Sequence, residues 1–169
     1  MTRRYRYVGP AEIAARVQSD CGGEVIDSVE KLKDSLCSMG GYHSGESLTV
    51  TFVVGTDGIL RIADRRSEHV ACARGKVVLG AGEMTFGSIG DQPFVERVTN
   101  QSTGYCPEPE SWATVAGSLD RIPVEHPDNF DPASVFRRCP SCSQINIVKD
   151  EWFVCGVCKF TLPASWNFE

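Results

Sequence analysis

The chain reads as an α+β protein: a mainly antiparallel sheet with about three helices, followed by a small cysteine-rich unit at the C-terminus. Three observations carry that expectation. β-Branched runs between residues 48 and 100 are separated by turn residues rather than by helices. Three stretches space their apolar residues at helical intervals. Two C-x-x-C pairs lie near the end of the chain.

Residues 5–8 have the make-up of a short strand. Gly9-Pro10 then opens a helix with proline at its first position, where the missing N–H costs nothing. Ile13 and Val17 give that helix an apolar face. After Cys21-Gly22-Gly23, residues 24–26 suit a strand. Asp27 and Glu30 have capping-box spacing, and Val29, Leu32, Leu36 and Met39 recur helically until Gly40-Gly41 ends the run. From Leu48 the period changes. Residues 48–54 form one strand, Thr56-Asp57-Gly58 the turn, and residues 59–63 its hairpin partner. The charged segment 64–69 interrupts the sheet, which resumes over 77–86, turns through 87–93 and returns over 94–100. Trp112, Val115, Ala116 and Leu119 lie on one face of a third helix over 110–121, with the helices expected on one face of the sheet. Residues 122–132 contain three prolines and no sustained period, which reads as a linker. The expected organisation is an α+β domain over 1–122, a linker over 123–135 and a ribbon over 136–169.

With 169 residues, the chain is long enough for one ordinary domain and an appendage. A formal net charge of −5 counts against phosphate neutralisation, and so against nucleic acid as a partner. The N-terminus leads into no apolar segment of signal-peptide type. Nor does any window approach the roughly 18 apolar residues of a membrane helix. The expected compartment is the cytoplasm, with no membrane partner. There, Cys21, Cys37, Cys72 and Cys106 read as reduced thiols rather than a disulfide framework.

Cys139-Pro-Ser-Cys142 and Cys155-Gly-Val-Cys158 are separated by twelve residues. Each C-x-x-C turn presents two sulfurs from one tight backbone fold, so two of them complete a tetrahedral thiolate shell. Residues 145–148 and 152–154 are expected to pair as a hairpin that brings the turns together. The pattern resembles the zinc-ribbon and rubredoxin-type knuckle families over residues 136–166. The expected cofactor is zinc held by Cys139, Cys142, Cys155 and Cys158; a redox dithiol and a rubredoxin-type iron site are the alternatives. A shell of four thiolates leaves no open position, so the metal would be structural.

In an antiparallel pair the loop before the first strand lies beside the loop after the second. Segments 65–76 and 101–107 should therefore meet at one end of the sheet. They bring together Glu68, His69 and Arg74 with Asn100, Gln101, Ser102, Tyr105 and Cys106. His69, Glu83 and Cys106 are the catalytic candidates; Glu68, Arg74, Asn100, Gln101, Ser102 and Tyr105 are the ligand-binding ones. Each also has a purely structural reading: His69 as a loop bridge, Cys106 as an unactivated thiol, Glu83 as a solvent-facing strand residue, Tyr105 as core. His43-Ser-Gly-Glu46 does not match the H-x-E of zinc deaminases, because two residues separate His from Glu.

Three blocks carry a resemblance: Ser67-Glu-His-Val-Ala-Cys-Ala-Arg-Gly75, Leu79-Gly-Ala-Gly-Glu83 and Asn100-Gln-Ser-Thr-Gly-Tyr-Cys-Pro107. Together they look like small bacterial proteins that end in the same zinc ribbon. More distantly they are similar to blocks of plant IQ-motif calmodulin-binding proteins, which carry a histidine where this chain has Gly104. The resemblance implies that the two loops belong to one site and names no reaction. The functional expectation is a binding module for a small molecule or a protein segment. The alternatives are an enzyme of toxin-like or group-transfer type using the same loops and, against the charge, a nucleic-acid-binding regulator.

Overall fold

The computed structural model describes residues 2–40 and 45–168; the His43 comparison and the Gly41 helix stop lie outside them. In chain order the elements are α1 (Ala11–Ala14), β1 (Glu24–Ile26), α2 (Val29–Ser38), β2 (Leu48–Gly55), β3 (Leu60–Asp64), α3 (His69–Cys72), β4 (Val78–Ile89), β5 (Gln92–Val98), α4 (Trp112–Asp120), β6 (Val135–Arg138) and β7 (Ile145–Val148). β1 to β5 make one sheet in the order β1-β3-β2-β4-β5, every pairing antiparallel, and β6 and β7 make a second, two-stranded sheet. The α+β class holds. No helix among the described residues is long and apolar enough to cross a membrane.

The strands follow from local chemistry. Gly58 takes a φ of +73° in the β2–β3 turn, where a side chain would be strained. Asp57 closes that turn by accepting from the Ile59 amide at 3.0 Å and from Arg61 at 2.7 and 3.0 Å. β4 and β5 are longer than expected at their shared end. Pairing runs to Ile89↔Gln92, so most of the expected loop over 87–93 is strand and the turn is Gly90-Asp91. Residues 5–8 contribute one bridge, Tyr5↔Val78, rather than a strand. The cap of α2 is Ser28 rather than Asp27: its extended backbone lets its hydroxyl accept the Lys31 amide at 3.1 Å.

Both faces of the sheet are covered, which corrects the one-face expectation. Val50, Phe52, Val54, Met84 and Phe86 point to a core closed by Leu32 and Leu36 of α2 and by Val115 and Leu119 of α4. On the other face, Val53 and Ala81 meet Tyr5, Val70, Cys72 and Tyr105, with Ile13 and Val17 alongside. The central strands are apolar on both sides there, and each side needs a cover. The second cover combines the expected first helix, with Ile13 and Val17, and the one-turn α3, which is too short to show a helical period.

The segment over 122–135 is packed rather than free. The Val95 amide donates to the Glu125 carbonyl and the Asp131 amide to the Val98 carbonyl, both at 2.8 Å. Val124 and Phe130 are buried, and Phe130 meets Trp112 edge-on at 5.0 Å. The segment thus runs along β5, while its prolines withhold the N–H groups a continuous ladder requires.

Candidate metal centre and binding face

In the C-terminal unit the pairing differs from the expected hairpin. β7 pairs with β6, and residues 152–154 make only the bridge Val154↔Thr161. The first C-x-x-C turn is itself the loop of the β6–β7 hairpin: the Cys139 amide donates to the Gln144 carbonyl at 2.8 Å, and the Ser143 amide to the Cys139 carbonyl at 2.9 Å. The second turn repeats the first. The Cys155 amide donates to Phe160 at 2.8 Å and the Lys159 amide to Cys155 at 3.1 Å. Ser143 and Lys159, each directly after its second cysteine, share a φ of +63°. Two copies of one backbone loop therefore face each other.

Their four sulfurs all lie within 4.8 Å of one another, with Cys139–Cys158 at 3.5 Å and Cys142–Cys155 at 3.7 Å. A metal–sulfur bond of about 2.3 Å sets the corners of a tetrahedron about 3.8 Å apart, so these residues fit a metal ion. The backbone N–H of Cys158, with that of Val157, lowers the Cys155 thiol against desolvation, a direction that favours a ligating thiolate. At Cys142 the Gln144 amide is outweighed by desolvation and the three neighbouring sulfurs, which push that thiol up. Asn146 completes the surroundings: its amide donates toward Cys155 Sγ at 3.6 Å and its oxygen accepts the Gly156 amide at 2.9 Å. Nothing in the sequence singled out Asn146.

In the main domain the two predicted loops do meet, and the second is consumed by packing. The Tyr105 hydroxyl donates to the Lys76 carbonyl at 2.8 Å, and its ring is fully buried, which raises its pKa. The Asn100 amide donates to the Pro107 and Ser134 carbonyls at 2.8 Å each, while its oxygen accepts from the Ser134 amide at 2.6 Å. Every bond is spent on the chain. Cys106 is fully buried, burial pushes its thiol up to about 12, and Sγ donates to the Thr103 carbonyl at 3.3 Å. Ser102 is buried with no partner for its hydroxyl among the described residues. Gln101 is exposed.

The first loop keeps an accessible polar side. His69 begins α3 and is half-buried, and its Nε2–H donates to the Gly82 carbonyl at 3.0 Å. Burial lowers its pKa, against the pull of that carbonyl, Glu83 and Glu68. The ring is therefore neutral at pH 7 and Nδ1 holds the lone pair. Glu83 faces the same side of the sheet, paired across strands with Thr51, and meets Arg65 Nε at 3.3 Å. The Thr51 hydroxyl shares its one proton between the carbonyls of Arg65 and Ser67, at 3.1 and 3.2 Å, pinning the loop to the sheet. Glu68 is exposed, and Arg74, at a φ of +54°, lies against Gly22 rather than beside Glu83. Next to the Arg65–Glu83 pair a hollow of about 350 Å³ is lined by Ser47, Thr49, Asp64, Arg65 and Arg66, with Met39 and Leu48 at its apolar side. Two further clefts, of about 540 and 710 Å³, share Thr2, Arg3 and Leu79; like the first hollow, they include none of the predicted site residues.

Glu83 was legible as an acid inside an apolar strand. Arg65 and Thr51 were not, because only the β2–β4 register brings them to it. No protein-family model, curated protein or solved structure matches the chain.

Proposed function

We propose that the chain is a zinc-braced binding module. Zinc at Cys139, Cys142, Cys155 and Cys158 holds the C-terminal unit together, and the main domain takes a small polar ligand, or the polar end of a protein segment, beside α3. The observation that carries the reading is the division of the predicted polar groups. Asn100, Ser102, Tyr105 and Cys106 are buried in packing, whereas His69, Glu83 and Arg65 stay accessible, Arg65 both meeting Glu83 and lining the neighbouring hollow. Arg65 supplies donors, Glu83 acceptors and the neutral His69 an Nδ1 acceptor, a set suited to hydrogen-bond recognition.

Acid–base or nucleophilic catalysis has less support. Among the described residues no carboxylate or thiol hydrogen-bonds to the His69 ring, and the Cys106 thiol is buried with its pKa near 12. The net charge of −5 likewise speaks against a nucleic-acid role. Zinc suits the donor set because four thiolates match its preference for sulfur and close its shell.

Two measurements test the reading. Elemental analysis of purified protein should return one zinc per chain; iron or no metal would refute the zinc assignment. A metabolite library screened by thermal shift should yield a compound that stabilises wild type and loses its effect in Arg65→Ala and Glu83→Gln. Compounds that stabilise all three proteins equally would place binding elsewhere.

A further inference from the structure

Cys106 sits where the main domain and the C-terminal unit meet. Its side chain is fully buried, packed with Phe136, Ile145, Ile147, Trp166 and Phe168 of the C-terminal unit and, from the main domain, Val8. Of the apolar side chains clustered with this thiol, all but Val8 therefore follow Val135.

The backbone at Cys106 has a φ of +48° directly before Pro107. A non-glycine residue keeps that left-handed conformation only when its surroundings enforce it, and a following proline disfavours helical backbone further. Two hydrogen bonds do the enforcing: the Cys106 amide donates to the Ser102 carbonyl at 2.7 Å, and the Trp166 indole N–H donates to the Cys106 carbonyl at 2.8 Å. The second comes from the tail.

The tail is in turn held by the four-cysteine unit. The Leu162 amide donates to the Phe153 carbonyl at 2.9 Å, and Arg137 Nη2 donates to the Ala164 carbonyl at 2.7 Å. Asn167 clamps Arg138, the residue before the first ligand, accepting from its amide at 2.9 Å and donating to its carbonyl at 2.7 Å. A unit this small has little core of its own, and in such units metal-binding energy is folding energy.

We propose that metal in the four-cysteine centre latches residues 162–168 over Cys106, and that metal loss lifts this cover and exposes the Cys106 thiol while Tyr105 stays packed over Cys72. The inference rests on the metal reading above. It makes Cys106 a thiol gated by metal occupancy, and it couples the C-terminal unit to the loop whose Tyr105 is bonded to Lys76. The chain carries its own controls. Cys21 and Cys37 are exposed, while Cys72 is buried under Tyr5, Val53, Val70 and Tyr105 of the main domain.

The test uses full-length protein of known metal content, pulsed with N-ethylmaleimide before and after a chelator, with each cysteine followed by peptide mass spectrometry. Cys21 and Cys37 should label in both states and Cys72 in neither, while Cys106 labelling should accelerate by about tenfold or more on chelation. Cys106 remaining as slow as Cys72 after the metal has left overturns the latch. So does a joint rise of Cys106 and Cys72, which reports unfolding of the whole chain. In metal-loaded protein, Trp166→Ala should speed Cys106 labelling while the four ligands stay protected; unchanged protection overturns the role of the tail. Protein that holds no metal as purified and takes up no added zinc defeats the metal reading itself, a result separable from a latch that fails in metalled protein.

Discussion

His69 is held neutral by its surroundings, and that choice has a sign. Its folded pKa lies below the ordinary 6.5 because burial disfavours the imidazolium more than Glu83, Glu68 and the Gly82 carbonyl favour it. Below about pH 6.5 the unfolded chain takes up a proton that the folded one refuses. The stabilising contribution is therefore complete above 6.5 and lost as pH falls from there through the lowered folded value. His126 works the other way: burial is outweighed by the Pro127 carbonyl and Asp120, so its contribution is present below 6.5 and fades as pH rises through its raised value. Comparing wild type with His69→Gln cancels His126. The glutamine amide can still donate to Gly82, so the wild type should lose stability relative to the variant between pH 7 and pH 5; a flat difference would mean His69 does not titrate as stated. Asn100 is a residue-scale feature of another kind. Asn100→Ala removes three buried hydrogen bonds and should cost about 3 kcal/mol, read from the urea midpoint. A cost below about 1 kcal/mol would show that water replaces the amide.

Among the elements, β4 carries the most information. It pairs with β2 along its length and with β5 at its far end, and at Gly82 the Thr99 carbonyl passes directly over it. A Cβ at Gly82 would stand 1.9 Å from that oxygen, a backbone atom with no freedom to yield. Gly82→Ala should therefore cost about 3 kcal/mol or more and lower the melting temperature by roughly 10 °C. A near-native melting curve would contradict the close crossing. Gly80 and Gly82 are both sites of close approach that only the tertiary fold identifies: Val115 at Gly80 and the chain after β5 at Gly82. The β2–β3 hairpin was legible in full, because β-branched runs and an Asp-Gly turn are local signals. The α1 helix was announced by its Gly9-Pro10 start, but the four-residue α3 is not legible in this way, since one turn has no period to read.

For the whole molecule the decisive feature is how the C-terminal unit is bolted on. Arg137 is 6% exposed and donates to Glu108 at 2.7 Å and to the Phe136 and Ala164 carbonyls at 2.6 and 2.7 Å. Arg137→Ala would leave two carbonyls unpaired and a mostly buried Glu108 carboxylate with only Arg3 at 3.8 Å, at a cost of about 3 kcal/mol. The solvent-exposed Arg66–Asp64 pair is a useful contrast, and Arg66→Ala should leave the denaturation midpoint unmoved. Equal effects from the two would mean that burial at the junction carries no energetic weight. Chelation should act at the same scale: metal-free protein should melt at a lower temperature and recover on adding zinc.

Two kinds of information meet in this protein. The four-cysteine cluster was determined by the sequence alone, since C-x-x-C spacing is a local geometric constraint and two such turns bring four sulfurs within metal-binding distance. The main sheet was nearly as legible for the same reason, through periodicity and turn chemistry. The proposed binding face was decided only by tertiary structure. Asn100, Tyr105 and Cys106 look in the sequence like the polar side of a site, and the fold buries them as struts between loops. Arg65 and Thr51 look like ordinary loop and strand residues, and the strand register sets them beside Glu83. Whether a polar side chain faces water or another part of the chain depends on contacts between residues distant in sequence, and no local pattern records those.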